Sequence, residues 1–422
     1  MLGLAGTSFV VLLALGVPIA MVLLALSLLW VWADPAVMDV AFAQRLVAGT
    51  QSFPLLAVPL FILTGELMNV SGITRRVMDF AMLVTRPLTG GLAKTNVLLS
   101  TLLAGMSGSA NGDAAMQSKI LVPEMTRRGY PAPFSAALTA SSALIAPLIP
   151  PGIGLILFGF VTDTSIGQLF VGAIVPGIVL ATALILLTHI LAKRGGWDAP
   201  EERASWDGIG VAFLRALPAI MMPVLIVVGI RGGVFTPSEA GGVAVAYTVL
   251  FILLYREASW RDIWQALVNT VVTTSAIILV LAASAAFTWI LTFQRIPQEV
   301  GEALLMATSD PTLMLVMIGA ILFIAGMLVE GTALILILAP MFMPVAQALG
   351  IDPVQFGVVF VFVIHLGGIT PPVGTVMFTT CAITKVPITA FARAVVPFIA
   401  TFIVVAALLI LFPPLSTFLA RL

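Results

Sequence analysis

The sequence predicts an all-α integral membrane protein folded as an inverted repeat, with two re-entrant hairpins and two transmembrane helices broken at Pro-Pro pairs. Three observations carry that expectation. The 422 residues are 60% hydrophobic and 9% charged, against roughly 25% charged in a soluble domain, so the chain cannot cover a water-facing surface. Its apolar runs are long and lack strand-like alternation, which favours helices over a barrel. Finally, the polar, glycine-rich stretch Gly105-Met-Ser-Gly-Ser-Ala-Asn-Gly-Asp113, followed by Pro150-Pro151, has a counterpart 221 residues later. Gly105-Met106 returns as Gly326-Met327, Pro123 as Pro344, Gly129 as Gly350, and Pro150-Pro151 as Pro371-Pro372. What recurs is the punctuation that ends, bends or breaks helices.

Composition also excludes. Net charge is zero, so no basic surface serves nucleic acid. A single cysteine, Cys381, rules out a disulfide framework or thiolate cluster. His189 and His365 lie far apart and form no paired metal motif. No Lys or Arg precedes Arg45, so the apolar start reads as a first span rather than a signal peptide.

In order, residues 8–32 are long enough to cross a core of about 30 Å. A polar segment (Asp34, Asp39, Gln44, Arg45) precedes a second span over 53–70. Charged and apolar residues interleave from Gly72 to Arg86, which suits a helix lying along the interface. The first hairpin, about 92–126, has two apolar limbs of about 14 residues, each reaching roughly 21 Å and too short to cross. A helix over about 133–161 is broken at Pro150-Pro151, because proline removes a helical hydrogen bond and pushes its predecessor out of helical geometry. A span over 167–191 completes a first repeat, 1–192. Residues 193–210 read as a cytoplasmic linker, and 211–422 as the second repeat. That repeat holds spans at 211–230, 236–255 and 268–292 and an interfacial segment, Arg295 to Ser309. It continues with a second hairpin at about 312–349, a helix over about 355–380 broken at Pro371-Pro372, and a span at 394–412. Five crossings between the hairpins make them enter from opposite faces. Basing the first hairpin in the cytoplasm puts fifteen of the nineteen basic residues inside, as the positive-inside rule requires.

Paired segments interrupted by Gly and Pro, at corresponding places in two halves, point to the binding site of a secondary transporter. The tips offer Ser107, Gly108, Ser109, Asn111 and Asp113 on one side and Glu330, Gly331 and Thr332 on the other. Half-helix N-termini there suit a substrate carboxylate. The bland alternative for Ser107 and Ser109 is helix packing by small residues. For Asp113 and Glu330 it is pairing with Lys or the headgroups, but each carboxylate would cost about 2.5–3.5 kcal/mol at the bilayer centre, so function is the default. Glu66 and Glu239 read as structural groups near span ends, and the Met221-Met222 and Met341–Met343 runs as core. His189 reads as interfacial, and His365 lies one turn before the second break. Arg295 is a candidate carboxylate anchor if the second interfacial segment folds inward, and otherwise a surface charge.

Seven motifs in order carry a family resemblance. They are Phe53-Pro-Leu-Leu-Ala-Val-Pro-Leu-Phe-Ile-Leu63, Ser107-Gly-Ser109, Ile149-Pro-Pro151, Gly172-Ala-Ile-Val-Pro-Gly177, Gly232-Gly-Val-Phe-Thr-Pro-Ser-Glu-Ala240, Gly350-Ile-Asp-Pro353 and Thr370-Pro-Pro-Val-Gly374. Together the chain resembles the large membrane subunit of tripartite ATP-independent periplasmic (TRAP) transporters. The resemblance implies a bacterial inner-membrane, ion-transporter-like elevator fold with no enzymatic activity and no organic cofactor. It implies sodium-driven uptake of an organic acid, a periplasmic substrate-binding protein and a small four-helix membrane partner. Sodium would be held mostly by carbonyls freed at the breaks, with Ser107, Ser109, Ile149, Pro150, Gly367, Thr370, Pro371 and Gly374 as candidates. Asp113 and Glu330 are equally suited to carry protons, and no residue names the acid. Two positions depart from the family: Gly152 stands where Ser usually follows the first Pro-Pro, and the first tip carries Asn111 and Asp113. A self-sufficient carboxylate symporter of related fold is the nearest alternative. A rhomboid-like intramembrane protease with a Ser107–His365 dyad is a remote one, since 258 residues separate the pair.

Overall fold

A computed structural model describes residues 2–35, 37–198 and 206–421, and among these the chain is helical with no strand. The expected first span over 8–32 is instead two helices, Leu2–Ala14 and Ile19–Ala33. Gly16 takes φ 77° between them, and Pro18 has no N–H with which to continue a helix. The polar segment after it forms a further helix, Asp39–Ala48. A short 3-10 turn, Phe53–Leu56, leads into Ala57–Val70. At Gly72, φ 82°, the chain turns by 68° into Ile73–Thr85, whose apolar side (Ile73, Val77, Ala81) is buried while Arg75 and Asp79 are exposed.

The next four helices are Gly91–Ser107, Ala110–Arg127, Ala132–Ala143 and Ile153–Thr162. Their counterparts are Pro311–Gly326, Gly331–Ala348, Pro353–Gly367 and Thr375–Thr384. Ala110–Arg127 and Gly331–Ala348 are offset by 221 at both ends (331 − 110 and 348 − 127), and Ile153–Thr162 and Thr375–Thr384 by 222. The limbs of the first pair are 17 and 18 residues long, longer than the expected 14, and those of the second 16 and 18. Residues expected in the connecting tips are wound into helices instead. Gly331–Ala348 is by itself long and apolar enough to cross a membrane. Among the described residues six helices meet that test, and a seventh span results if Pro54–Val70 and Ile73–Thr85 count as one.

Two sets of helices emerge from the packing. Ala57–Val70 lies against Pro237–Tyr255 and Trp260–Phe293, which also covers Ile19–Ala33 and Asp39–Ala48. Capping boxes at Thr236/Glu239 and Ser259/Asp262 start two of these helices. In the other set the halves interlock: Ala110–Arg127 packs on Thr375–Thr384, and Gly331–Ala348 packs on Ile153–Thr162. Each second limb therefore rests on the far half of the other repeat's broken helix.

The expected linker over 193–210 is partly structure. Ile166–Gly195 runs into it from one side and Trp206–Arg231 from the other, and residues 199–205 lie outside the described residues. Trp197 packs on Tyr130 and Phe134 with ring centroids 5.7 and 4.9 Å away. Asp198 Oδ2 accepts from the Leu92 N–H at 2.8 Å and from the Tyr130 hydroxyl at 3.1 Å. Burial, and then the Asp198 carboxylate, hold the Tyr130 hydroxyl well above the ordinary phenol range, so it remains a donor. The chain leaving the first half thus fastens the base of the first helix pair.

Candidate functional site

The first tip is two residues long. Gly108 ends Gly91–Ser107 at φ 56°, a conformation that L side chains rarely adopt, and a Cβ there would meet the Pro151 carbonyl. Ser109 then starts Ala110–Arg127 as N-cap, its Oγ accepting from the Gly112 N–H at 3.3 Å. Asn111, expected in the connecting loop, sits with Asp113 in the first helical turn because this cap begins the helix early. The second tip is built differently. Glu330 is the N-cap of Gly331–Ala348, accepting from the Ala333 N–H at 3.3 Å and from the Thr332 hydroxyl at 2.7 Å. The Met327 carbonyl accepts from the N–H groups of Val373 and Gly374 at 3.1 and 3.2 Å. Each tip therefore touches its own break.

At both breaks the X-Pro bond is cis, Pro150-Pro151 and Pro371-Pro372. Backbone bonding to the first broken helix closes with the Leu148 and Ile149 N–H groups on the Ile145 carbonyl and resumes at the Gly152 carbonyl. Among the described residues no backbone N–H reaches the carbonyls of 146–151 between them, nor those of 369–373 at the second break. Ile149, Pro150, Thr370 and Pro371 thus have the free carbonyls expected of them. Gly367 does not fit as fully, because its carbonyl accepts from Thr370 N–H at 2.9 Å. Gly374 is drawn so close to the Thr370 and Gly368 carbonyls that a Cβ would lie 2.9 and 2.8 Å from them. At Gly152 a Cβ would collide with the Pro147 carbonyl, which gives a local reason for glycine where the family usually has serine.

The tips open on a cavity of about 550 Å³. Ser107, Gly108, Ser109, Asn111 and Asp113 line it from one side, and Glu330, Gly331 and Thr332 from the other. The break residues proposed for sodium lie behind this lining and not in it. His365 reaches the cavity; its Nδ1 lies 2.6 Å from the Val361 carbonyl, which fixes the Nδ1 proton and leaves Nε2 directed towards Gly331. Asp113 is 3% exposed, and its Oδ2 is buried without a hydrogen-bond partner, as is Asn111 Oδ1.

Two sequence expectations are corrected. Arg295 is exposed, stands ahead of the helix Ile296–Ala307 at φ 61°, and does not line the cavity. The segment that follows it packs on Gly331–Ala348 without carrying the guanidinium inward. Glu66 lies in the last part of Ala57–Val70 as expected, but it faces the cavity and accepts from Asn269 Nδ2 at 3.1 Å. The signal was present in spacing. Ile62, Gly65, Glu66 and Asn69 form an i, i+3, i+4, i+7 stripe, and Thr273, Ala276, Ile277 and Val280 repeat it on Trp260–Phe293. Those two stripes make the wall facing the tips.

A helical chain with spans of this length and a cavity between two helix sets, into which several polar side chains reach, is a multi-pass membrane protein of the transporter class. The family described as the tripartite ATP-independent periplasmic transporter, DctM component, matches residues 7–415, and the chain belongs to it. The 2,3-diketo-L-gulonate TRAP transporter large permease protein YiaN of Escherichia coli is 36% identical over 94% of this chain and 93% of its own. The sialic acid large permease SiaM of Vibrio cholerae is 35% identical over 90% and 89%, and the ectoine large permease TeaC of Halomonas elongata 36% over 89% and 88%. Among solved structures, the YdaH transporter of Alcanivorax borkumensis aligns with a TM-score of 0.63 at 16% identity, covering 88% of each chain, a likeness of fold alone. The protein is therefore a TRAP large permease subunit of the bacterial inner membrane and not an enzyme. The Ser107–His365 protease reading falls, although both residues reach the same cavity. Membership implies partnership with a small membrane subunit and a periplasmic binding protein.

Proposed function

We propose that the chain takes up an organic acid, coupled to sodium, after handover from a periplasmic binding protein and in complex with a small four-helix membrane subunit. The observation that carries this reading is the convergence of two tip-and-break modules on one cavity whose opposite wall belongs to a different set of helices. The two repeats have inverted topology in this reading, with the helix pairs entering as re-entrant hairpins from opposite faces and 193–210 on the cytoplasmic side. The free carbonyls at Ile149, Pro150, Thr370 and Pro371, with backbone of Gly367 and Gly374 and the hydroxyls of Ser107 and Ser109, suit a hard cation that prefers oxygen. When bound, sodium supplies positive charge next to the cargo. Ser107, Ser109, Asn111, Asp113, Glu330 and Thr332 orient the cargo, with Gly108 and Gly331 allowing close approach. Interlocked pairs and breaks then move as one body against the wall carrying Glu66 and Thr273, an elevator motion. The named cargoes of the three relatives support small organic acids as the class.

The test is uptake in liposomes, with the partner proteins present or absent and with a sodium or a proton gradient. Uptake only with all components and inward sodium is the expected result. Uptake by this chain alone would replace the tripartite account with a self-sufficient carrier, and proton-driven uptake would move the coupling role to Asp113 or Glu330. Ser107→Ala and Asp113→Asn should weaken sodium activation while leaving the folded protein intact; unchanged activation in both removes the site assignment.

A further inference from the structure

The charge and hydrogen-bond character of the cavity narrows the cargo, given the uptake reading above. Three carboxylates, Glu66, Asp113 and Glu330, reach it, and among its described lining residues there is no Lys or Arg. The helix N-termini expected to receive a substrate carboxylate already have acceptors of their own. Ser109 Oγ takes the Gly112 N–H, Asp113 stands in the same first turn, and the Glu330 carboxylate takes the Ala333 N–H. A carboxylate in that position offsets the positive end of the helix, so little attraction remains for an external anion.

The unsatisfied groups are acceptors. Asp113, 3% exposed, lines this cavity and has a buried Oδ2 with no partner, and Asn111 Oδ1 is also buried without one. The Val361 carbonyl holds the His365 Nδ1 proton, and Nε2 faces the second tip. A buried acceptor without a donor is costly, and a cargo that brings donors relieves that cost. A second carboxylate would instead add acceptors and negative charge beside three carboxylates.

We infer that the cargo is a donor-rich monocarboxylate, a polyhydroxylated, amide-bearing or zwitterionic acid, and that small dicarboxylates are discriminated against by the permease itself. Glu66 is the specificity-determining member on the stationary wall, held by Asn269 at 3.1 Å. The cargo's single carboxylate is left to Asn and hydroxyl donors and to bound cation.

The experiment is equilibrium binding to the purified complex of large and small subunits, without the binding protein so that its selectivity does not intervene. The probes are gluconate, N-acetylneuraminate and ectoine against succinate, malate and fumarate, each in sodium and in choline. Binding of at least one donor-rich monocarboxylate about tenfold tighter than every dicarboxylate is expected. Glu66→Gln, which keeps the Asn269 contact, should narrow that preference on the order of tenfold by removing one negative charge. A dicarboxylate ranking first, or a preference unmoved by Glu66→Gln, overturns the inference. The sodium arm judges the parent reading separately: equal binding in choline removes sodium coupling whatever the ranking, and binding of none of the six acids in sodium overturns both.

Discussion

The two tip-and-break modules share their helix breaks and differ in nearly everything else. Behind the first tip lies a buried hydrogen-bonded core: Asn96 Nδ2 donates to Thr139 Oγ1 at 2.7 Å, Ser142 Oγ to Asn96 Oδ1 at 2.7 Å, and Ser100 Oγ to Gln117 Oε1 at 3.0 Å. Adding 221 to Asn96, Ser100, Gln117, Thr139 and Ser142 gives Met317, Ile321, Leu338, Phe360 and Val363, which are all apolar. The second module is held instead by backbone proximity, with Gly326 pressed against Gly367 and the Ile364 carbonyl. Polar networks set register through direction and apolar cores through shape. The breaks have one solution in both halves, whereas the means of holding them do not.

That contrast is broken most severely at Gly367. A Cβ there would overlap the backbone of Gly326, where no side chain can turn aside. Gly367→Ala should destabilise the protein by about 3 kcal/mol, the upper range of overpacking. The matching position in the first module (367 − 221) is Ala146, which already carries a Cβ, and Ala146→Gly should cost about 1 kcal/mol or less. Thermal unfolding of both variants in detergent checks this; equal losses would mean that the two modules are packed alike after all.

Asn96→Ala comes next. It removes two side-chain hydrogen bonds in a site where Asn96 is fully buried and leaves the Thr139 and Ser142 hydroxyls only the helix carbonyls of Ser135 and Thr139, a loss of about 1–3 kcal/mol. The double variant Asn96→Ala/Ser142→Ala should lose less than the sum of the single changes, because the groups act together. Additive losses would show that the polar core is a set of independent contacts. Asp198→Ala tests the fastening at the base of the same module. It frees the Tyr130 hydroxyl and the Leu92 N–H and should cost about 1–2 kcal/mol, with faster proteolysis at the start of Gly91–Ser107 as the readout.

The sequence was most informative where the backbone has few choices. Proline pairs and glycines announced both breaks, and all eight tip residues proposed for the cargo meet at one cavity. Glu66 was placed by its distance along the chain and not by the helix face it occupies, whereas Arg295 is the surface charge expected when the segment after it does not fold inward. Reading the Ile62–Asn69 stripe by its 3.6-residue period would have turned Glu66 inward. The break between Leu2–Ala14 and Ile19–Ala33 was hidden because apolar residues continue on both sides of Gly16 and Pro18, so hydropathy sees one span. The limbs of the first pair are longer than expected because Ser109, weighed as a ligand or a packing residue, is also the residue that starts a helix.

That double role gives the finest comparison between the tips. If Ser109 serves only as a cap, Ser109→Ala should cost about 1 kcal/mol and Ser109→Gly only a few tenths, since glycine tolerates the N-cap backbone. If its hydroxyl also helps hold sodium, the two variants must still differ in stability but lose sodium activation of uptake to the same extent. At the second tip, Glu330→Gln keeps one oxygen for the Ala333 N–H, and its amide N–H can donate to the Thr332 hydroxyl in place of the oxygen that accepts from it, so stability should move by less than about 1 kcal/mol. Its effect should appear in cargo affinity instead, since a charge is lost from the cavity while the cap remains. Measuring unfolding and uptake on the same three variants separates capping from binding at each tip. A strict parallel between stability and sodium activation across Ser109→Ala and Ser109→Gly would leave that hydroxyl as a cap alone and shift the first sodium site onto Ser107 and the break carbonyls.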